Sequence, residues 1–182
     1  MLGTSVTFQT QADVANFAGS NCTWIWSLEI KSGSQGDDPV TDLGAAGLEN
    51  LTEILGNLYI HDVPLLMSLR GLDGLRTVSE NLRIENAALL GSLDGLQGIT
   101  SIGASLVIVD LPVLKSLDGL EGISTIGKDS DGQSIRLDSL WALQSLSALR
   151  NVAGALPGSL VIKWANNLKS LDGLGHHSHW QG

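Results

Sequence analysis

The sequence predicts a mainly β chain: a parallel solenoid of about six coils, one per 24-residue repeat, closed at its N-terminal end by a short helix. Three observations predict it. Ser-Leu-Asp-Gly-Leu occurs at Ser92–Leu96, Ser116–Leu120 and Ser170–Leu174, and a near copy at Ser68–Leu72 differs only at Arg70. The triplets Leu58-Tyr59-Ile60, Leu82-Arg83-Ile84 and Leu106-Val107-Ile108 follow one another at 24-residue steps, and apolar–variable–apolar is the pattern of a strand with one buried face. Glycine recurs at Gly71, Gly74, Gly95, Gly98, Gly119 and Gly122, where a helix would lose roughly 1 kcal/mol at each. Short extended pieces joined at glycine corners fit all three, with equivalent strands stacked about 4.8 Å apart.

Taken in order, the chain opens on a segment outside the repeat. Gln11–Ala18 places Val14, Phe17 and Ala18 at helical spacing, with Thr10 and Asp13 as a capping pair and Gly19 as the stop. This cap is expected at about residues 6–23, with Trp24 and Trp26 packed against it. Leu28-Glu29-Ile30 is a first, less regular strand, and Ser32–Pro39 interrupts its coil as a polar loop. Inward positions then recur at Leu66, Leu69, Leu72, Leu75 and Val78, at Leu90, Leu93, Leu96, Ile99 and Ile102, and at Leu114, Leu117, Leu120, Ile123 and Ile126. Lys128–Gly132 reads as an insertion, since the strand Ile135-Arg136-Leu137 arrives late; it is expected to be a mobile surface loop. Leu160-Val161-Ile162 is the last strand. The solenoid domain spans residues 1–174 in this reading, and 175–182 is a flexible tail carrying His176, His177 and His179. No second cap is evident, so two expectations stand: either the chain is part of a longer protein, or the tail and a partner cover the exposed C-terminal edge.

Composition narrows the function classes. The formal charge is −9, and charged residues make up 16%, which argues against a nucleic-acid partner because a phosphate backbone requires a basic face. No run approaches the roughly 20 apolar residues of a membrane span. Met1–Ser5 lacks the charged and apolar regions of a secretory signal, so for an exported protein the signal and any anchor are expected outside this chain. Cys22 stands alone. It reads either as a small buried apolar residue or as half of a disulfide to a segment outside this chain. Asn21-Cys22-Thr23 and Asn50-Leu51-Thr52 are glycosylation acceptors, which point toward export.

These residues resemble the receptor L-domain, a leucine-rich-repeat-like right-handed β-helix. Thr10-Gln11-Ala12-Asp13, Asn21-Cys22-Thr23 and Ser27-Leu28-Glu29-Ile30 are similar to the family's capping helix, cysteine and first strand; the Leu-x-Ile strands and Leu-x-Gly-Leu corners resemble its coils. The resemblance covers about residues 6–174. It implies a right-handed, leucine-rich-repeat-like solenoid found in growth-factor receptor ectodomains and in surface and wall proteins of fungi, algae and bacteria. The family's second cysteine is missing here, which makes a surface-adhesion or wall-type module the nearer analogue. It carries no catalytic residues to transfer.

Function is therefore expected on the strand face that points out of the solenoid. Alternation assigns to it Asn57, Tyr59 and His61; Asn81, Arg83 and Glu85; Ser105, Val107 and Val109; Ser134, Arg136 and Asp138; and Ser159, Val161 and Lys163. Tyr59, Arg83 and Arg136 are the expected anchors for a protein or glycan, with an apolar patch at Val107, Val109 and Val161. The same ladder is equally well read as an ordinary solvated sheet. Trp141 and Trp164 follow strands and can stack on sugars, anchor a partner or be buried. No G-x-S-x-G elbow, phosphate loop or H-E-x-x-H helix is present, so no enzyme, cofactor or resident metal is expected. Asp110 and Asp138 near Arg136 are the faint exception, candidates for a glycan-cleaving enzyme, the least favoured reading. Asp94, Asp118 and Asp172 are read as turn residues bonding their own backbone. The tail histidines lack a fixed partner and suit adventitious metal only. An ice-binding face would need ranks of outward threonines, which the ladder lacks. The expectation is an extracellular, non-enzymatic recognition or adhesion module; the alternative is a structural block of a surface or wall assembly.

Overall fold

The computed structural model describes residues 4–17, 21–32, 38–152 and 156–173. β1 (Val6–Phe8) precedes the helix α1 (Gln11–Asn16), which is followed by β2 (Trp24–Ile25), β3 (Leu28–Lys31), β4 (Glu53–Ile54) and β5 (Leu58–His61). The alternation of short and longer strands continues with β6 (Thr77–Val78), β7 (Leu82–Glu85), β8 (Ser101–Ile102) and β9 (Leu106–Val109). β10 (Thr125–Ile126), β11 (Gln133–Asp138) and β12 (Ser159–Lys163) complete it, with one 3-10 turn at Ser147–Asn151. The longer strands form a seven-stranded sheet ordered β1-β3-β5-β7-β9-β11-β12, and the two-residue strands a five-stranded sheet ordered β10-β8-β6-β4-β2. All these pairings are parallel. The chain is mainly β, with two parallel sheets.

Register follows the repeat. Leu28, Leu58, Leu82, Leu106, Ile135 and Leu160 stand in one file across the larger sheet. The longer step from Leu106 to Ile135 leaves the file intact, because the extra residues are looped out before β11. A slip of one residue would turn every inward side chain to solvent, and this cost holds the register. The expected inward positions, from Leu66 to Ile126, are all buried and belong to one apolar cluster running from Phe8 to Leu149. Leu160, Ile162 and Leu168 pack against it only partly buried.

Two features depart from the sequence reading. Val6-Thr7-Phe8, at the start of the expected cap, is a strand: it adds to the sheet edge, Val6 pairing with Leu28 and Phe8 with Ile30. Its apolar–variable–apolar pattern is that of the other strands. The second sheet was also not expected as strands. Its Ile25, Ile54, Val78, Ile102 and Ile126 are buried, but two residues are too few to show a periodicity.

The helix forms as expected, though it is assigned as Gln11–Asn16 with Phe17 at its C-cap; the expected stop, Gly19, and Ala18 lie outside the described residues. Thr10 Oγ1 accepts from the Asp13 N–H (3.1 Å), and Asp13 Oδ2 accepts from the Thr10 and Gln9 N–H groups (both 2.9 Å), a complete capping box. Backbone donation from Gln9 and then Thr10 holds the Asp13 carboxyl below its ordinary 3.8. Trp26, expected in the cap, is exposed.

The Ser-Leu-Asp-Gly-Leu corner has a different bond from the one expected of its aspartate. Ser92, Ser116 and Ser170 accept through Oγ from the N–H two residues on, at Asp94 (3.0 Å), Asp118 (3.4 Å) and Asp172 (3.2 Å). The glycine N–H is then met by the side chain two residues beyond it, Asp73 for Gly71 and Gln97 for Gly95. The serine therefore makes the turn bond.

Candidate functional site

Alternation along the larger sheet puts Glu29 and Lys31, Tyr59 and His61, Arg83 and Glu85, and Arg136 and Asp138 on its outward face. Charges two apart on one strand pair there: Lys31–Glu29 at 3.0 Å, Arg83–Glu85 at 2.7 Å and Arg136–Asp138 at 3.0 Å. His61 bridges Glu29 Oε1 through Nε2 (3.1 Å) and Asp62 Oδ2 through Nδ1 (3.0 Å). Burial pulls the His61 pKa down, but the bonds and charges of Asp62 and Glu29 outweigh it and raise it above 6.5. The same bonds, His61's first, hold Glu29 and Asp62 below their ordinary values. The bond from Glu85 raises Arg83.

The asparagines of the expected ladder have another task. Ser27 Oγ accepts from the Asn57 N–H (3.2 Å), Asn57 Oδ1 from the Asn81 N–H (3.1 Å) and Asn81 Oδ1 from the Ser105 N–H (3.1 Å). Asn81 Nδ2 also donates to Asn57 Oδ1 (2.9 Å), and Ser105 Oγ to Asn81 Oδ1 (2.8 Å). Each side chain catches the backbone of the next repeat where the sheet ladder has not yet begun. Asn57 and Asn81 thereby hold repeats together, a task that their reading as binding groups did not include. Ser105 and Ser134 are buried, and Ser134 Oγ accepts from Gly158 N–H (2.8 Å).

Val107 and Asp138 also leave the exposed set, at 7% and 8% exposure. The apolar patch expected at Val107, Val109 and Val161 is therefore interrupted at Val107. The Lys128–Gly132 insertion shares a hollow with it. This hollow, of about 170 Å³, is lined by Tyr59, Asn81, Arg83, Ser105 and Val107 from the sheet side and by Asp129, Ser130 and Asp131 from the insertion. Asp129 anchors the insertion. Its Oδ1 accepts from the Asp131 (3.0 Å) and Gln133 (2.8 Å) N–H groups, while its N–H donates to Gln133 O (2.9 Å) and its O accepts from Gly132 N–H (3.1 Å). The insertion is thus a surface loop, as expected, that is hydrogen-bonded within itself and forms one side of the hollow.

The structure brings Tyr59, Asn81, Arg83 and Val107 together at the hollow. His61 and Glu85 sit farther along their strands, beside Asp62 and Asn86, whose Nδ2 donates to Asp62 Oδ1 (2.7 Å). Arg136, Asp138 and Lys163 are not among the residues lining the hollow. Asp110, one of the two faint acid candidates, turns the chain at φ 55°; the other, Asp138, is taken up by Arg136 and Ser139. Sequence reasoning missed Asp129, Ser130 and Asp131 as site residues; the break in period before β11 was the signal for them.

It also missed a file of exposed apolar residues at repeat positions, Leu65, Leu89 and Val113, with Met67 nearby in sequence. Trp141 and Trp164 are exposed too, their rings 6.2 Å apart. Cys22 is buried and free among the described residues. Asn21 and Asn50 are both exposed, as a glycan acceptor requires. The tail histidines lie outside the described residues. Among the described residues no group of three or more metal-ligating side chains comes together, and no helix is long and apolar enough to cross a membrane. Comparison with protein-family models, with curated proteins and with solved structures finds no match.

Proposed function

We propose that this chain is an extracellular, non-enzymatic recognition or adhesion module of the receptor L-domain type, a right-handed leucine-rich-repeat-like β-solenoid that takes a protein or glycan on its outward strand face. Parallel register at the repeat interval, with a long and a short strand in each of the five repeats from β2/β3 to β10/β11, supports the solenoid. Exposed acceptor sites at Asn21 and Asn50 support a surface or extracellular setting. One observation carries the functional reading: the insertion departs from the repeat where it adds a wall to a hollow containing Tyr59 and Arg83. A repeat serving only stability needs no such wall.

Tyr59, Arg83 and Arg136 are the anchors on this face, the first two in the hollow with Asp131. Tested on arrays of glycans and surface proteins, Tyr59→Ala with Arg83→Ala is expected to abolish the interaction while circular dichroism keeps the parental spectrum. Unchanged affinity in a folded double variant would remove the assignment.

A structural building block is the second reading, favoured by one observation. The inward residues of β12, Leu160 and Ile162, are only partly buried where those of β5 to β11 are fully so, and Leu171 is exposed. Among the described residues β12 pairs only with β11.

A further inference from the structure

We infer that the hollow between the insertion and the sheet is a subsite for one ring of a neutral saccharide, an inference that rests on the recognition reading above and names its ligand class. The argument begins with charge. Arg83 stands in the lining together with Asp129 and Asp131. An anion meets two carboxylates and a guanidinium already paired with Glu85 (2.7 Å). A cation finds Asp129 Oδ1 already taken by two backbone N–H groups and the N–H fork of Arg83 in the same lining. A hydroxyl group escapes this conflict, because it donates to a carboxylate and accepts from a guanidinium without net charge. Several hydroxyls on one ring can therefore use both signs of the lining at once.

The remaining features agree in chemistry and size. Arg83 is oriented by its bond to Glu85 (2.7 Å), which leaves other N–H groups of its planar fork to donate. Asp129 is held by the two backbone N–H groups it accepts, so the acidic wall is positioned before a ligand arrives. Ser130 adds a hydroxyl. Tyr59 contributes an aromatic ring with a polar tip on which the C–H groups of a sugar can rest, and Val107, almost wholly buried, only a small apolar contact in a mostly polar lining. At about 170 Å³, the hollow is below the roughly 300–1,000 Å³ of pockets that engulf a small molecule. It suits a single ring whose chain continues outward over the sheet.

The test uses the full chain against an array of neutral, anionic and amino-bearing glycans together with acidic and basic peptides, at low and high sodium chloride. Ser130→Trp places an indole at the exposed lip of the hollow, Tyr59→Ala removes the aromatic contact, and Arg70→Ala, an exposed corner residue that does not line it, is the control. The expected result is binding of neutral glycans that changes little with salt, because no net charge is exchanged. It should weaken by at least about tenfold in Ser130→Trp and in Tyr59→Ala and persist in Arg70→Ala. Salt-sensitive binding of charged ligands lost in the same variants would overturn the neutral saccharide and leave the recognition reading in place. Peptide binding that survives Ser130→Trp would overturn the subsite alone. Absence of any ligand in the folded parent would overturn both.

Discussion

Gly95 turns its corner at φ 114°, and a Cβ there would run into the Leu69 carbonyl of the preceding repeat. Gly71 repeats the arrangement at φ 107°, with Leu43 O 2.6 Å from the site of a Cβ. Backbone conformation and close approach both demand glycine, so Gly95→Ala is expected to lower the unfolding free energy by about 1–3 kcal/mol. Urea titration reads this, and an unchanged midpoint would show that the corner relaxes. His61 is the other residue whose surroundings set a measurable property. Its folded pKa is raised above 6.5, so its stabilising contribution is complete below that value and is lost as pH rises through the folded pKa. Glu29 and Asp62 are lowered from 4.5 and 3.8, so theirs is present above those values and lost as pH falls through the folded pKa values. Lys31, Glu85 and Asn86 complete the polar surroundings on β3, β7 and the following turn. Stability of the parent relative to His61→Gln should therefore be greatest at mildly acidic pH and decline toward alkaline pH; a difference that does not vary with pH would refute the bridge.

At the scale of the element, the sheet is stitched by side chains before its backbone ladder starts. Asn57→Ala removes the acceptor of the Asn81 N–H and of Asn81 Nδ2. The expected cost is on the order of 1 kcal/mol in chemical denaturation, with ligand binding at the hollow unchanged, since Asn57 does not line it. A loss of affinity without a loss of stability would return Asn57 to the binding set. The asparagines look alike whether they bind a ligand or a backbone. Alternation places them on the outward side, but only the bond partners reveal the task. The insertion shows the same limit. Its presence and bounds are legible in the broken period, whereas its acidic wall beside Arg83 depends on which way the loop turns, and Asp129 decides that through two backbone bonds.

For the whole molecule, the two ends of the larger sheet differ. At β1 the adjoining helix buries Val14 and sets Phe17 edge-on to Phe8, with ring centroids 5.4 Å apart. At β12 the inward residues are half-covered. The building-block reading therefore predicts a mass that grows with concentration in sedimentation equilibrium, suppressed by Ile162→Lys at this edge. A strict monomer across the accessible range would remove that reading. The net charge of −9 opposes crowding of copies, so added salt should favour any such association.

The sequence by itself determined the period, the inward files of leucine and isoleucine, the strand triplets and the capping box of α1. These are local or repeated signals: burial imposes a spacing, and each repeat restates it. Tertiary structure alone decided that Val6–Phe8 is a strand, that two-residue segments such as Glu53–Ile54 form a second sheet, and that the corner bond belongs to serine. It also decided which outward residues are engaged. Asn57 and Asn81 bind backbone, Val107 and Asp138 are buried, and Tyr59 and Arg83 meet Asp129 and Asp131 across a hollow. Each of these depends on a neighbour at least one repeat away or on the turn of a single insertion, and periodicity within the chain carries no record of either.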